Sequence, residues 1–123
     1  MVKVEEEVRD ACAPVGVDET RVEHIQARMI SEQTAARLAE VFKTLGDPTR
    51  LRIISALAEG EVCVHELANA LGMSQSAVSH QLRVLRHQRL VRFRKVGRHV
   101  YYALDDEHIH SLFALGLEHL AHG

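Results

Sequence analysis

The chain has no tryptophan, and tyrosine and phenylalanine supply only two and three residues. Its core must therefore be aliphatic. No apolar run approaches the roughly 20 residues that a membrane helix needs. The start of the chain lacks the basic-then-apolar pattern of a secretion signal. Both absences point to a cytoplasmic protein with no membrane partner. Cysteine occurs twice, as Cys12 and Cys63, too few for a disulfide framework. Free thiols are expected, suited to metal or redox chemistry. No internal repeat or low-complexity tract is present. Acid is missing from one long window: between Glu66 and Asp105 there is no Asp or Glu. The same window holds Arg83, Arg86, Arg89, Arg92, Arg94, Lys95 and Arg98. In a chain of net charge −2, this local basic segment reads as a phosphate-binding surface.

With 123 residues, 46% of them hydrophobic, the chain is expected to build one domain with a modest core that gains from dimerisation. Residues 1–20 are acidic (Glu5 to Glu7, Asp10, Asp18, Glu19) and poor in large apolar groups. They read as a flexible arm carrying Cys12, ahead of a folded domain over 21–123. A short helix is expected over 21–30. Ala35, Leu38, Phe42 and Leu45 mark one face of a second helix, ending at Gly46. Asp47-Pro48 opens a third, with Asp as N-cap and Pro at the first helical position. Its buried face should be Leu51, Ile53, Ile54 and Leu57, and Gly60 stops it.

A helix–turn–helix follows. Val64 to Ala70 is a short helix with Leu67 and Leu71 inward, and Gly72 permits the sharp turn. Ser74 caps the next helix, where Met73 and Val78 fit hydrophobic-staple positions. Val78, Leu82 and Leu85 face the core. Ser76, His80, Arg83 and His87 point away, with Ser79 at the edge. That outer face is polar and free of acids, as a helix entering the major groove requires, although a solvated face has similar composition. The hydrophobic period then changes to two. Val91–Arg94 and Val100–Leu104 read as strands with a turn near Val96-Gly97. The tip, Arg94 to His99, is strongly basic, and a basic hairpin after a helix–turn–helix is a wing. The expected fold class is mainly α with a β-hairpin wing, a winged helix–turn–helix. Gln75, Ser76, Ser79, His80, Arg83, Arg94, Lys95 and Arg98 are the candidate DNA contacts.

The last stretch, from Asp105 to His122, reads as a helix with Ile109, Leu112, Leu115, Leu117 and Leu120 recurring at helical spacing. It contains Asp-x-His-x10-His-x2-His: Asp106, His108, His119 and His122. Carboxylate and imidazole are zinc ligands by type. His119 and His122 share a face, but His108 and His119 lie about 16 Å apart along the axis. Zn–N bonds of about 2.0–2.1 Å cannot span that gap. Two antiparallel copies about a two-fold axis would bring the start of one helix to the end of the other. The spacing therefore fits either two inter-subunit metal sites or a histidine-rich solvated face.

Four segments settle the comparison: Leu45-Gly46-Asp47-Pro48-Thr49-Arg50-Leu51-Arg52, Glu61-Val62-Cys63-Val64-His65-Glu66-Leu67, Ser74 to Leu82, and Gly97-Arg98-His99-Val100-Tyr101-Tyr102. They resemble the ArsR/SmtB family, in unbroken order over residues 31–122. The resemblance implies a homodimer with its N- and C-terminal helices at the interface. It implies a repressor that holds an inverted-repeat operator in double-stranded DNA when metal-free and releases it on metal binding. It also implies that Asp106, His108, His119 and His122 are ligands for Zn2+, with Co2+, Ni2+ or Cd2+ as alternatives. His110 falls outside the pattern. A second family site is implied in part: Cys63 occupies its cysteine position, with His65, Glu66 and the arm's Cys12 as partners. Here the family often has Cys-x-Cys or Cys-x-x-Asp, so the match is incomplete. Thiolates there would extend the range toward cadmium or copper(I). A thiol redox repressor using Cys12 and Cys63 is the alternative function. A zinc hydrolase is disfavoured, because Glu118-His119-x-x-His122 lacks the His-Glu-x-x-His order and four protein ligands leave no open position for water. No enzymatic activity is expected.

Overall fold

A computed structural model describes residues 16–122. Cys12 and most of the expected acidic arm lie outside them. The chain divides into two units at Ala35–Ala36. In the first, helix α1 spans Glu19–Arg28. It begins two residues ahead of the expected 21–30, because the Asp18 carboxylate accepts hydrogen bonds from the Thr20 and Arg21 backbone N–H groups at 3.0 and 3.2 Å and caps the helix there. Helix α2, Glu32–Leu45, is capped by Ser31, whose Oγ accepts from the Thr34 N–H at 3.1 Å; from Ala36 onward it belongs to the second unit.

In the second unit the elements follow as α3 Pro48–Ala58, β1 Val62–Cys63, α4 Val64–Leu71, α5 Gln75–His87, β2 Val91–Val96, β3 His99–Leu104 and α6 Glu107–His122. Asp47 caps α3 through Oδ2, which accepts from the Arg50 N–H at 3.0 Å, and Pro48 sits in the first turn. Ser74 caps α5, its Oγ accepting from the Ala77 N–H at 3.1 Å. Gly72 takes the left-handed conformation (φ 66°) that ends α4, which a Cβ would strain. Gly97, with φ 60°, turns the hairpin.

The sheet has the order β1-β3-β2, antiparallel throughout. Its first strand was not expected from the sequence. Val62 pairs with Tyr102 and Cys63 with Tyr101, while β2 and β3 pair from Val91–Leu104 to Val96–His99.

The core is aliphatic as expected. Ile53, Ile54 and Leu57 of α3, Leu67 of α4, Val78, Leu82 and Leu85 of α5, and Leu90 and Val91 are buried together, with Tyr102 as the aromatic member. Leu51, expected on the buried face of α3, is 40% exposed, because its side chain opens into a surface groove instead. That groove, of about 390 Å³, is lined by α2, α3 and α6 residues including Phe42, Ile54, Leu112 and Leu120. Helix α6 buries no residue completely; Ile109 and Phe113 pack against the core while Leu115, Leu117 and Leu120 stay exposed.

Arg50 locks α5 to its support. Its Nε donates to Gln81 Oε1 at 2.9 Å and its Nη1 to the Thr44 carbonyl at 3.2 Å, joining α2, α3 and α5. At the other end of α5, Arg89 has φ 58°, and the Leu90 N–H closes on the Leu85 carbonyl at 3.0 Å. A non-glycine residue costs about 1–2 kcal/mol in that region. Leu82→Ala should lower unfolding free energy by about 2–5 kcal/mol in denaturant titration, whereas Arg89→Gly should raise it by about 1 kcal/mol. Stabilisation by the first or clear destabilisation by the second would contradict this packing.

Candidate functional site

Two groups of residues carry chemistry. The first is the outer surface of α5 with the hairpin that follows. Gln75, Ser76, His80, Arg83 and His87 are exposed and Ser79 is half-buried; the opposite face, Val78, Leu82 and Leu85, is fully buried. Fixed at its apolar side and by Arg50, α5 presents a polar face without a carboxylate. Lys95 and Arg98 lie at the hairpin tip, exposed, and neither makes an ion pair among the described residues.

Arg94 is placed differently. Its guanidinium donates twice to the Glu61 carboxylate, both at 2.7 Å, and lies 5.3 Å from the Tyr101 ring centroid. These bonds hold the Glu61 carboxyl below the usual glutamate range and push the Arg94 guanidinium up. Arg94 therefore ties β2 to the segment before β1 rather than standing free beside Lys95. Arg86 packs over Phe93, 4.2 Å from the ring centroid, which fixes the end of α5 on the root of the hairpin.

The second group is on α6. The Asp106 carboxylate caps the helix, Oδ1 accepting from the His108 and Ile109 N–H groups at 2.9 and 3.2 Å. Its other oxygen, Oδ2, lies 3.3 Å from His108 Nδ1. The His108 hydrogen bond is the main cause holding the Asp106 carboxyl below its ordinary value, with the two backbone N–H groups adding to it against partial desolvation. Two donors thus stand together at the start of α6, both substantially exposed. His119 and His122 are in its last turn. Among the described residues, no three His, Cys, Asp or Glu side chains of one chain converge on a common point, which agrees with the separation that the helical rise imposes.

The expected second cluster is partly assembled. Cys63 is buried at 5% exposure and stands immediately before α4. Glu66 is turned back onto it, Oε1 accepting the Cys63 backbone N–H at 3.1 Å. His65 is exposed. A residue that the sequence reading missed is closer: His99 Nδ1 lies 3.8 Å from Cys63 Sγ. The β1–β3 pairing brings it there, and β1 left no periodic signal to reveal it.

Residues 47–92 match the bacterial regulatory protein, arsR family. The chain is 51% identical over 100 residues to a transcriptional repressor SmtB homolog of Synechocystis, covering 81% of this chain and 76% of that one. The chain belongs to the ArsR/SmtB family. A cadmium resistance transcriptional regulatory protein CadC homolog of Staphylococcus aureus is 38% identical over 85% of this chain and 86% of its own length. In three dimensions the ArsR/SmtB architecture is shared with the homodimeric winged helix–turn–helix DNA-binding domain of a Mycobacterium bovis protein. The TM-score is 0.66 at 35% identity, covering 76% of this chain and 88% of that one. Helix α4 and helix α5 are the helix–turn–helix, β2 and β3 are the wing, and the protein is a DNA-binding transcriptional regulator.

Both perturbed carboxylates yield a check. A depressed carboxyl contributes stability above its unfolded value, and that contribution is lost as pH falls through the folded one. Carboxyl NMR titration should find Glu61 and Asp106 below ordinary values. Arg94→Ala should raise the Glu61 midpoint alone, and His108→Ala the Asp106 midpoint alone. Midpoints that do not move would contradict these pairings.

Proposed function

We propose that this chain is a metal-responsive transcriptional repressor that acts in the cytoplasm as a homodimer. Metal-free, it binds an inverted-repeat operator in double-stranded DNA; zinc, or a similar divalent ion such as cobalt, nickel or cadmium, releases it. The observation that carries this reading is the Asp106–His108 pair at one end of α6, with His119 and His122 at the other. One carboxylate and three imidazoles form a donor set suited to zinc. In a two-fold dimer with α6 antiparallel to its copy, Asp106 and His108 of one protomer meet the partner's His119 and the partner's His122. The M. bovis relative's homodimeric state supports the dimer. So do the apolar side chains that α2 and α6 leave in water, among them Leu38, Phe42, Leu115 and Leu120.

The two α5 helices of such a dimer would enter successive major grooves about 34 Å apart. Gln75, Ser76, Ser79, His80 and Arg83 face the bases, with Arg83 the best candidate to read a base edge. Lys95 and Arg98 neutralise phosphates, and Arg94 steadies the wing from its Glu61 anchor. When bound, the ion supplies a link between subunits that favours one relative orientation of the two reading heads. It favours release only by binding the DNA-incompetent form more tightly. A redox switch through Cys12 and Cys63 gains no comparable support, since Cys63 is buried.

Arg98→Ala should weaken binding alike on all sequences and reduce the salt slope by about 1; a sequence-selective loss would contradict a phosphate contact. His119→Ala should abolish zinc-driven release yet leave metal-free operator binding nearly intact. The sharper experiment mixes His108→Ala with His119→Ala chains. Across the two-fold, one site loses both ligands and the other keeps all four. These heterodimers should bind one zinc with near-native affinity; if they bind none, the inter-subunit site is wrong.

A further inference from the structure

We propose that the cavity between the hairpin and the helix–turn–helix seats one phosphate of the DNA backbone, with Tyr102 and His65 as donors beside the Arg98 charge. It rests on the DNA-binding reading above and shares no residue with the α6 ion set.

The cavity holds about 120 Å³ and is lined by His65 of α4, Gln75 and Ser79 of α5, and Arg98 and Tyr102 of the hairpin. Pockets that take whole small molecules run to about 300–1,000 Å³, so this one suits a single small group. Every polar side chain of the lining can donate a hydrogen bond. Arg98 adds a permanent positive charge, and no carboxylate is among the lining residues. Glu66, beside His65 in the chain, is turned onto the Cys63 N–H instead, at 3.1 Å. Donors with a cation and no acid select an anion. The apolar walls, Val64 and Val100, strengthen that attraction by lowering the local dielectric.

Tyr102 is the member that requires a partner. It is only 7% exposed, it is paired in the sheet with Val62 and Phe93, and its ring packs on Phe93 with centroids 5.7 Å apart. No protein group among the described residues bonds its hydroxyl, which keeps contact with solvent. A buried tyrosine usually finds a partner for its O–H, and a phosphate oxygen in the cavity supplies one. The position suits the backbone of a duplex. Gln75 and Ser79 stand on the side of the base-reading face of α5, and Arg98 on the side of the hairpin tip. A duplex that presents bases to α5 and backbone to Arg98 carries its phosphates across the gap between them. A phosphate seated there touches α4, α5 and the hairpin at once. Such contacts fix register and orientation without reading sequence, so His65 and Tyr102 set where α5 sits along the groove.

The test uses the full, metal-free chain with operator duplexes in which single phosphates are replaced by uncharged methylphosphonate. Tyr102→Phe deletes one hydroxyl and leaves the packed ring. It should weaken operator and random duplex alike, roughly tenfold, with an unchanged salt slope, since a neutral donor displaces no counterion. His65→Ala, a surface change, should weaken both duplexes as well. One methylphosphonate in each half-site should weaken the parent chain, and at that phosphate alone Tyr102→Phe and Arg98→Ala should each cost little further. The proposal is overturned if Tyr102→Phe binds as tightly as its parent, if its loss is confined to the operator sequence, or if Tyr102 and Arg98 couple to different phosphates. Millimolar inorganic phosphate at constant ionic strength should leave operator affinity unchanged; competition would assign the cavity to a free anion and overturn the DNA assignment. A parent that binds duplex beside an unaffected Tyr102→Phe variant removes the cavity assignment alone, whereas a parent that binds no duplex removes the DNA-binding reading with it.

Discussion

The rise of an α-helix governs how the donors proposed on α6 can meet at an ion. At about 1.5 Å per residue, α6 holds Asp106 and His108 at one end and His119 and His122 at the other. No single chain can close them on one ion, and the described residues offer no alternative cluster. A donor set split in this way is useful only if a second copy completes it. The same helix leaves Leu115, Leu117 and Leu120 exposed, a surface that costs free energy in water and is relieved by burial against a partner. Apolar exposure and ligand separation thus make the same demand.

The DNA-binding half answers a different constraint, that a reading helix must be held without blocking its outer face. The buried side of α5 does part of this through Val78, Leu82 and Leu85. Polar clamps do the rest from the flanks: Arg50 onto Gln81, Arg86 over Phe93 and Arg94 onto Glu61. Two of the bases in the acid-free window are therefore structural braces. On the proposed reading, the electrostatic footprint on DNA falls mainly to Arg83, Lys95 and Arg98.

Much of this was legible in the residues. The capping signals at Asp47-Pro48 and Ser74, the turn at Gly72 and the change of period at Val91 each located an element, because each reflects local backbone chemistry. The failures were of two physical kinds. Strand β1 is two residues long, too short for alternation, and exists only through its pairing with β3. The proximity of Cys63 and His99 depends on that pairing and stayed hidden with it. The pairing of Arg94 with Glu61 stayed hidden for the same reason, since the two lie far apart in sequence. The reading of Leu51 as buried failed for a related reason: helical periodicity identifies an apolar face but not whether the same chain covers it. The α6 donor pattern was visible as spacing alone, and the observed Asp106–His108 contact is what that spacing allows.

In the proposed function, ion binding at α6 and operator binding oppose each other through one dimer. Thermodynamic linkage makes that opposition reciprocal. The most direct measurement is the zinc affinity of the dimer, free and saturated with operator, set beside the operator affinity with and without zinc. Zinc should bind the DNA complex more weakly, by the same factor that zinc weakens operator binding. Equal zinc affinity in the two states, or tighter binding on DNA, would contradict that opposition.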